Sequence, residues 1–138
     1  MSLTDEEKQS VIAYRLDKAN KTLSDAKKVI EMELWATGAN RLYYAAYYAV
    51  SSLLIASGLN TKTHEGIIRM FNMHFINTGK IDMELGRQYN RLFTMRLTGD
   101  YGDCFDLQES DVKPMLEPAE QLINTVSSLI RQEYQLSE

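Results

Sequence analysis

The stretch LYYAAYYAVSSLLIAS, residues 42–57, decides the fold of this chain. On a helix its apolar and aromatic side chains would face nearly every direction, with small Ala and Ser residues between the large ones. A helix that is apolar all round is usually buried all round. The pattern therefore predicts a buried helix over residues 40–57, and Gly58 is expected to end it in the left-handed conformation.

The residues before this stretch predict one long amphipathic helix. Thr4 and Glu7 fit a capping box, and apolar side chains then recur at spacings of three and four residues until the helix is expected to end near Gly38. At about 1.5 Å per residue, such a helix would span on the order of 50 Å, longer than a small domain is wide. We therefore expect a bend or an overhanging end, and an overhang would suit a dimer.

The residues after this stretch predict three further helices. Thr63 is expected to cap the third helix, and a fourth is predicted over residues 82–96, before Gly99 breaks the chain. The last helix is expected to begin near Ser110 and to kink or restart at Pro118. Together the patterns predict an all-α, up-and-down bundle of four to five helices that forms a single domain over residues 1–138.

The composition limits the classes of function. A formal net charge of -4 gives no whole-chain attraction to phosphate, so any contact with RNA must come from a local cluster of cations. Cys104 is the only cysteine, and His64 and His74 match no common ligand spacing, so we expect no metal and no cofactor. Because the N-terminus lacks a secretory pattern and no apolar run reaches the roughly 18–20 residues of a membrane span, we expect a cytoplasmic protein without membrane contact.

Four motifs then follow one another in a characteristic order. They are ANRLYYAAYYAV (39–50), KTHEG (62–66), NTGK (77–80) and RLTGDYGD (96–103). In this order they resemble the HEPN domain (higher eukaryotes and prokaryotes nucleotide-binding), and specifically its small stand-alone bacterial and archaeal members. The resemblance implies a helical bundle, usually a homodimer, that is often encoded beside a minimal nucleotidyltransferase as a toxin and antitoxin pair.

The resemblance also points to the segment that begins at Arg96. Active members of the family are metal-independent ribonucleases, whose motif is Arg followed after four to six residues by His, placed at the dimer cleft. Here Tyr101 stands where such a member carries His. A phenol with a pKa near 10 is a poor general base at neutral pH, so we favour a module that binds a partner, nucleotide or RNA. The alternative is a metal-independent ribonuclease toxin whose catalytic residues are Arg96 with Tyr101, or Arg96 with His64 from elsewhere in the bundle. Tyr101 could instead be an adenylylation target or a surface on which a base stacks.

The remaining candidates are predicted to bind a ligand, and each has a structural alternative. If the bundle closes as the family does, Arg41 and His64 would converge with Arg96 and Tyr101 in a small polar cleft that suits a phosphate. Alternatively, His64 is a hydrogen-bonded structural residue, and Arg96 and a carboxylate four residues later form a structural pair at a helix end. That carboxylate is Asp100.

Two further candidates lie on the helix rich in tyrosine. Asn40 is a candidate ligand-binding residue, but it could simply cap its helix. Tyr44 is a second candidate, because the tyrosines at positions 43, 44, 47 and 48 could form a platform for a nucleotide; we prefer core packing with satisfied hydroxyls for the four. Arg69 and His74 also show the spacing of Arg, four residues and His, but on one helix they would point about 140° apart, and we set them aside.

Overall fold

The structure is a computed structural model that describes residues 3–59, 61–101 and 106–134, without the side chains of residues 99–101. Its helices are α1 (Asp5–Glu31), α2 (Trp35–Ala56), α3 (His64–Phe71), α4 (Met83–Tyr101), α5 (Glu109–Val112) and α6 (Leu116–Glu133). A π-helical turn (Asn72–Ile76) continues α3, and a 3-10 turn (Lys113–Met115) joins α5 to α6. No strand occurs in these ranges, which confirms the predicted all-α class.

The helix rich in tyrosine, α2, lies at the centre of the bundle. It packs along α1 over most of its length and also contacts α3, α4, α5 and α6. Ala45, Ala46 and Ala49 are fully buried on α2, and Ala19 and Ala26 are fully buried on α1. Such small side chains let helix axes approach closely. The prediction that this stretch forms a buried helix is therefore confirmed.

The predicted boundary between the first two helices is wrong. α1 ends at Glu31, and Glu33 adopts a φ of 61°, which reverses the chain so that the Leu34 N–H donates to the Val29 carbonyl at 3.0 Å. A non-glycine residue rarely takes this left-handed conformation, so the sequence carries no clear signal for the turn.

Gly38 does not end a helix, because it lies within α2. A Cβ at this position would stand 2.7 Å from Cγ1 of Ile30, so the glycine permits close approach of α1 and α2. Since α2 already begins at Trp35, Asn40 lies inside the helix, and its predicted role as a cap is also wrong.

The predicted break at Gly99 is likewise wrong, because α4 continues to Tyr101. A glycine within a helix costs only about 1 kcal/mol relative to alanine. A cost of this size does not oblige a helix to end. The helix continues for another turn after Arg96.

The predicted caps and stops elsewhere are confirmed. The Glu7 N–H donates to the Thr4 hydroxyl at 3.1 Å and the Thr4 N–H donates to the Glu7 carboxylate at 3.0 Å, which completes the capping box. Gly58 has a φ of 79°, as expected for its left-handed stop. The last helix restarts at Leu116, so that Pro118 lies in its first turn, where a missing N–H costs no helical hydrogen bond.

Among the described residues, no helix is both long enough and apolar enough to span a membrane.

Candidate functional site

Tyr44 lies half-buried on α2 and is surrounded by two cations and a histidine. The guanidinium carbons of Arg41 and Arg96 stand 5.5 and 5.7 Å from the centre of its ring. The His64 ring meets the same ring edge to face, with 5.9 Å between centroids. We call Arg41, Tyr44, His64 and Arg96 the Tyr44 cluster. It joins α2, α3 and α4, so residues far apart in sequence meet at one place.

Arg96 of the cluster contacts three aromatic rings. Its guanidinium carbon also lies 5.2 Å from the centre of the Tyr43 ring and 5.7 Å from that of Phe93. Its Nη1 donates to the Tyr44 hydroxyl at 3.5 Å, which is long for a hydrogen bond. Each cation–π contact contributes about 0.5–1 kcal/mol where water has access. The rings therefore orient a half-buried positive charge.

Arg41 is oriented by its neighbour in sequence. Its Nε and Nη2 donate to Oδ1 of Asn40 at 3.1 and 2.7 Å. A guanidinium has five N–H donors in a planar fork, so this contact leaves other donors of Arg41 for a ligand. Asn40 thus lies behind the cluster and holds one of its cations, a role that differs from a helix cap.

His64 is fixed by two tyrosines. The hydroxyl of buried Tyr43 lies 2.5 Å from His64 Nδ1, and the Tyr47 ring stacks on the imidazole with 4.7 Å between centroids. Burial, and then the positive charge of Arg96, lower the pKa of His64 below its ordinary value of 6.5. Burial raises the pKa of Tyr43 far above its ordinary value, although Arg96 opposes that shift.

These pKa shifts assign the proton in the contact between Tyr43 and His64. At neutral pH the phenol keeps its proton and the imidazole is uncharged, so the Tyr43 hydroxyl donates to Nδ1 of His64. A neutral imidazole has one donor and one acceptor nitrogen. The Nε2 atom of His64 therefore carries the ring proton and can donate to an anion.

The motif KTHEG places His64 at the first position of α3. The Gly66 N–H donates to the Thr63 hydroxyl at 2.9 Å, which caps the helix as predicted. A Cβ on Gly66 would lie 2.1 Å from the hydroxyl oxygen of Thr61 and 2.7 Å from that of Thr63. The glycine is therefore needed to keep both hydroxyls close to the start of α3, and this start sets the position of His64.

The structure brings together most of the residues that the sequence singled out. Arg41, Tyr44, His64 and Arg96 form the cluster, with Asn40 directly behind it. The last turn of α4 contains two further candidates, but their side chains lie outside the described residues, so a pair with Arg96 or a place in a cleft stays a prediction for them. These two candidates are Asp100 and Tyr101.

The four tyrosines do not behave alike. Tyr43 is fully buried with a partner for its hydroxyl, as predicted for core packing, whereas Tyr44, Tyr47 and Tyr48 are only half-buried. Sequence reasoning missed the roles of Tyr43 and Phe93, which orient His64 and Arg96. Helical spacing gave no signal for the contacts of Tyr43, because they join α2 to α3 and α4, whereas Phe93 and Arg96 stand three positions apart on α4, a spacing that could have indicated their contact. The alternative pair set aside above consists of Arg69, which is exposed, and His74, which lies on the π-helical turn.

The chemistry of the cluster suits a phosphate better than a metal. It offers two guanidinium groups and a neutral imidazole whose Nε2–H can donate a hydrogen bond. Charged N–H donors bind phosphate oxygens strongly. Within residues 3–59, 61–101 and 106–134, no three His, Cys, Asp or Glu side chains come together as metal ligands would.

Comparison with known proteins adds independent information. The family model described as HEPN domain matches residues 12–129. The chain is 41% identical to the "UPF0332 protein" of Thermotoga maritima over 124 residues, which cover 90% of this chain and 94% of that relative. It is 28% identical over 109 residues to a protein of Methanocaldococcus jannaschii named "Putative toxin MJ0142", with 79% of this chain and 74% of the relative covered. A second protein of that organism, "Putative toxin MJ0605", is 29% identical over 114 residues, covering 83% of this chain and 84% of its own length.

Proposed function

This chain belongs to the HEPN domain family, and on that premise we propose that it is one member of a toxin–antitoxin-like pair and binds RNA phosphate at the Tyr44 cluster. The names of two relatives support the first part of this proposal. The observation that carries the second part is that the guanidinium groups of Arg41 and Arg96 both contact the ring of half-buried Tyr44.

Electrostatics favours a local site of this kind. The chain has a formal net charge of -4, so its overall field repels a polyanion. Two guanidinium groups beside a neutral His64 concentrate positive charge at one point of the surface, and the planar fork of arginine matches phosphate geometry. Tyr44 adds an aromatic side chain of the kind on which RNA bases stack. The combination favours single-stranded RNA over a duplex.

The RNA-binding proposal is tested by fluorescence anisotropy with a labelled single-stranded RNA in buffer that contains a chelator. We expect Arg96→Gln and Arg41→Gln each to weaken binding about tenfold, or about 1.4 kcal/mol. Arg91→Gln is the matched control, because Arg91 is exposed on the same helix as Arg96. Absence of binding by the wild-type protein, or an equal loss in the control, would contradict the proposal.

The pairing proposal concerns the protein partner. We propose a homodimer whose two Tyr44 clusters share one groove and which associates with a nucleotidyltransferase-type protein. Light scattering of the purified chain tests the dimer, and co-purification with a nucleotidyltransferase encoded beside it tests the pair. A monomer at micromolar concentration excludes the shared groove. Growth arrest on expression that the co-expressed partner does not relieve excludes the antitoxin role of that partner.

A second candidate function is metal-independent ribonuclease activity, and the proximity of a neutral His64 to Arg96 favours it. The Tyr43 hydroxyl can rotate to accept a hydrogen bond from Nδ1, which leaves a lone pair on Nε2. Nε2 would then take the proton of a 2'-hydroxyl as its oxygen bonds to phosphorus. The bond between phosphorus and the 5'-oxygen would break, and the 5'-oxygen would take a proton from water. Arg96 would stabilise the charge on the phosphate.

Ribonuclease activity can be tested separately from RNA binding. Wild-type protein should cleave RNA in the presence of chelator, whereas His64→Gln should bind the same RNA without cleaving it. If no RNA of varied sequence is cleaved while Arg96→Gln still weakens binding as expected, the ribonuclease candidate is wrong and the binding function stands.

A further inference from the structure

A cavity of about 320 Å³ opens next to the Tyr44 cluster, and none of the four residues of that cluster lines it. Tyr47 lines this cavity and also stacks on His64 at 4.7 Å, so a single ring connects the two places. The other polar lining residues are Arg15 of α1, Ser51 of α2, and Thr61 and Lys62 from the segment before α3. We call this space the Arg15 cavity.

Arg15 is held at the wall of the cavity by a buried hydroxyl. Its Nη1 donates to the Ser51 hydroxyl, and Ser51 is only 4% exposed. This bond uses one of the five N–H donors of the guanidinium, so the others can serve a ligand. The contact fixes a half-buried positive charge at the wall, as Asn40 fixes Arg41 in the Tyr44 cluster.

The cations of the cavity, Arg15 and Lys62, have no acidic partner within residues 3–59, 61–101 and 106–134. Several other lysines do have such partners. The hydroxyls of Ser51 and Thr61 add neutral polar groups beside the two cations. A concave space that is lined by cations and hydroxyl groups is suited to bind an anion.

We propose that the Arg15 cavity receives a second phosphate of the same RNA strand whose first phosphate lies at the Tyr44 cluster, with Arg15 and Lys62 as its ligands. This inference rests on the proposed function. Proteins that bind single strands combine cations that follow the backbone with aromatic side chains between them, and Tyr47 stands between the two groups of cations. A volume at the lower end of the range for ligand pockets, about 300–1,000 Å³, suits one nucleotide unit.

The test compares a six-nucleotide single-stranded RNA with inorganic phosphate. Anisotropy of the labelled RNA is measured at several salt concentrations for the wild type, Lys62→Gln and Arg15→Gln. Each variant should weaken RNA binding about fivefold and lower the slope of log K against log salt by about 0.7, the value for one phosphate contact on a single strand. Lys62 is exposed, so its variant remains informative if Arg15→Gln does not fold.

The matched control is Lys21→Gln, which removes the same charge from an exposed lysine of α1 that is paired with Asp17. If the control weakens binding as much as Lys62→Gln does, only the net charge matters and the cavity proposal is overturned. It is also overturned if Lys62→Gln matches the wild type in both affinity and salt slope.

Failure of the proposed function gives a different pattern. If Arg96→Gln binds the RNA as the wild type does while Lys62→Gln binds it weakly, the Tyr44 cluster is not an RNA site. The proposal that one strand contacts both the cluster and the cavity is then also wrong. If the RNA does not bind but inorganic phosphate raises the Tm of the wild type and not of Lys62→Gln, the cavity binds free phosphate. RNA is then excluded as the source of the phosphate group.

Discussion

Substitution of Tyr43 by phenylalanine tests the contact that positions His64. Tyr43 is fully buried, its hydroxyl is 2.5 Å from His64 Nδ1, and it also interacts with the hydroxyl of fully buried Tyr89. Tyr43→Phe therefore removes the hydrogen bond to His64 and leaves the Tyr89 hydroxyl without this neighbour, while it changes little volume. The net contribution of such a bond is about 0.5–1.5 kcal/mol, and a buried group left without its partner costs about 1–3 kcal/mol. Because His64 is only half-buried, water can reach it in part, which places the expected loss at the lower end.

We therefore expect the free energy of unfolding to fall by about 1–2 kcal/mol. An unfolding entropy of about 2.1 cal/mol/K per residue converts this loss, over 138 residues, into a decrease in Tm of about 3–7 °C. Denaturant titration and thermal unfolding measure both quantities.

The same substitution should also change the imidazole. With Tyr43 donating to Nδ1, the proton of His64 resides on Nε2, and ring ¹⁵N chemical shifts report this tautomer. Tyr43→Phe should mix the two tautomers. Tyr47→Phe is the matched control, because it keeps the ring that stacks on His64, and its stability should stay within about 0.5 kcal/mol of the wild type. If Tyr43→Phe equals this control in stability and leaves the tautomer unchanged, the assignment of the hydrogen bond is refuted.

Three further predictions concern charge and packing. Arg96→Gln should raise the pKa of His64, measured by NMR titration, because it removes a positive charge that lowers this pKa. An unchanged pKa would show that the charge of Arg96 does not act on His64. His64 takes up a proton more readily when unfolded, so its contribution to stability is present above its ordinary pKa of 6.5 and is lost as pH falls from there toward its lower folded value. Denaturant titrations across this window should show a smaller pH dependence in His64→Gln. Gly38→Ala should lower the free energy of unfolding by about 1 kcal/mol. Overpacking costs about 1–3 kcal/mol, and the higher helix propensity of alanine offsets about 1 kcal/mol of that cost. An Ile30→Ala background should remove that loss, since the new Cβ would stand 2.7 Å from the Ile30 side chain.

Local signals in the sequence predicted much of the fold. The caps at Thr4 and Thr63 and the stop at Gly58 depend on residues close together in the chain, and the structure confirms them. The turn between α1 and α2 could not be predicted, because Glu33 takes a conformation that usually belongs to glycine. Gly38, the nearest glycine, is required instead by the Ile30 side chain, a contact that a linear pattern does not reveal.

The candidate site was predictable only in part. Arg41 and Tyr44 stand three positions apart on one helix, and such residues are neighbours on its surface. The contact of Arg96 with the same ring depends on how α4 packs against α2, and here the family resemblance rather than periodicity supplied the residue. The hydrogen bond from Tyr43 to His64 also joins two helices, and no spacing in the sequence indicates it.

Tyr43 and Tyr44 are adjacent in sequence, but the first has a structural role and the second belongs to the candidate site. The first is fully buried and fixes His64, the second is half-buried beside two cations, and Arg96 contacts both rings. The charge of Arg96 also lowers the pKa of His64, so these residues respond to one another. Under the proposed function, a phosphate bound at Arg96 would offset this charge and raise the pKa of His64. By thermodynamic reciprocity, protonation of His64 would then strengthen phosphate binding by the same factor. A cluster that merely filled space would bind no anion, so it could not show this coupling.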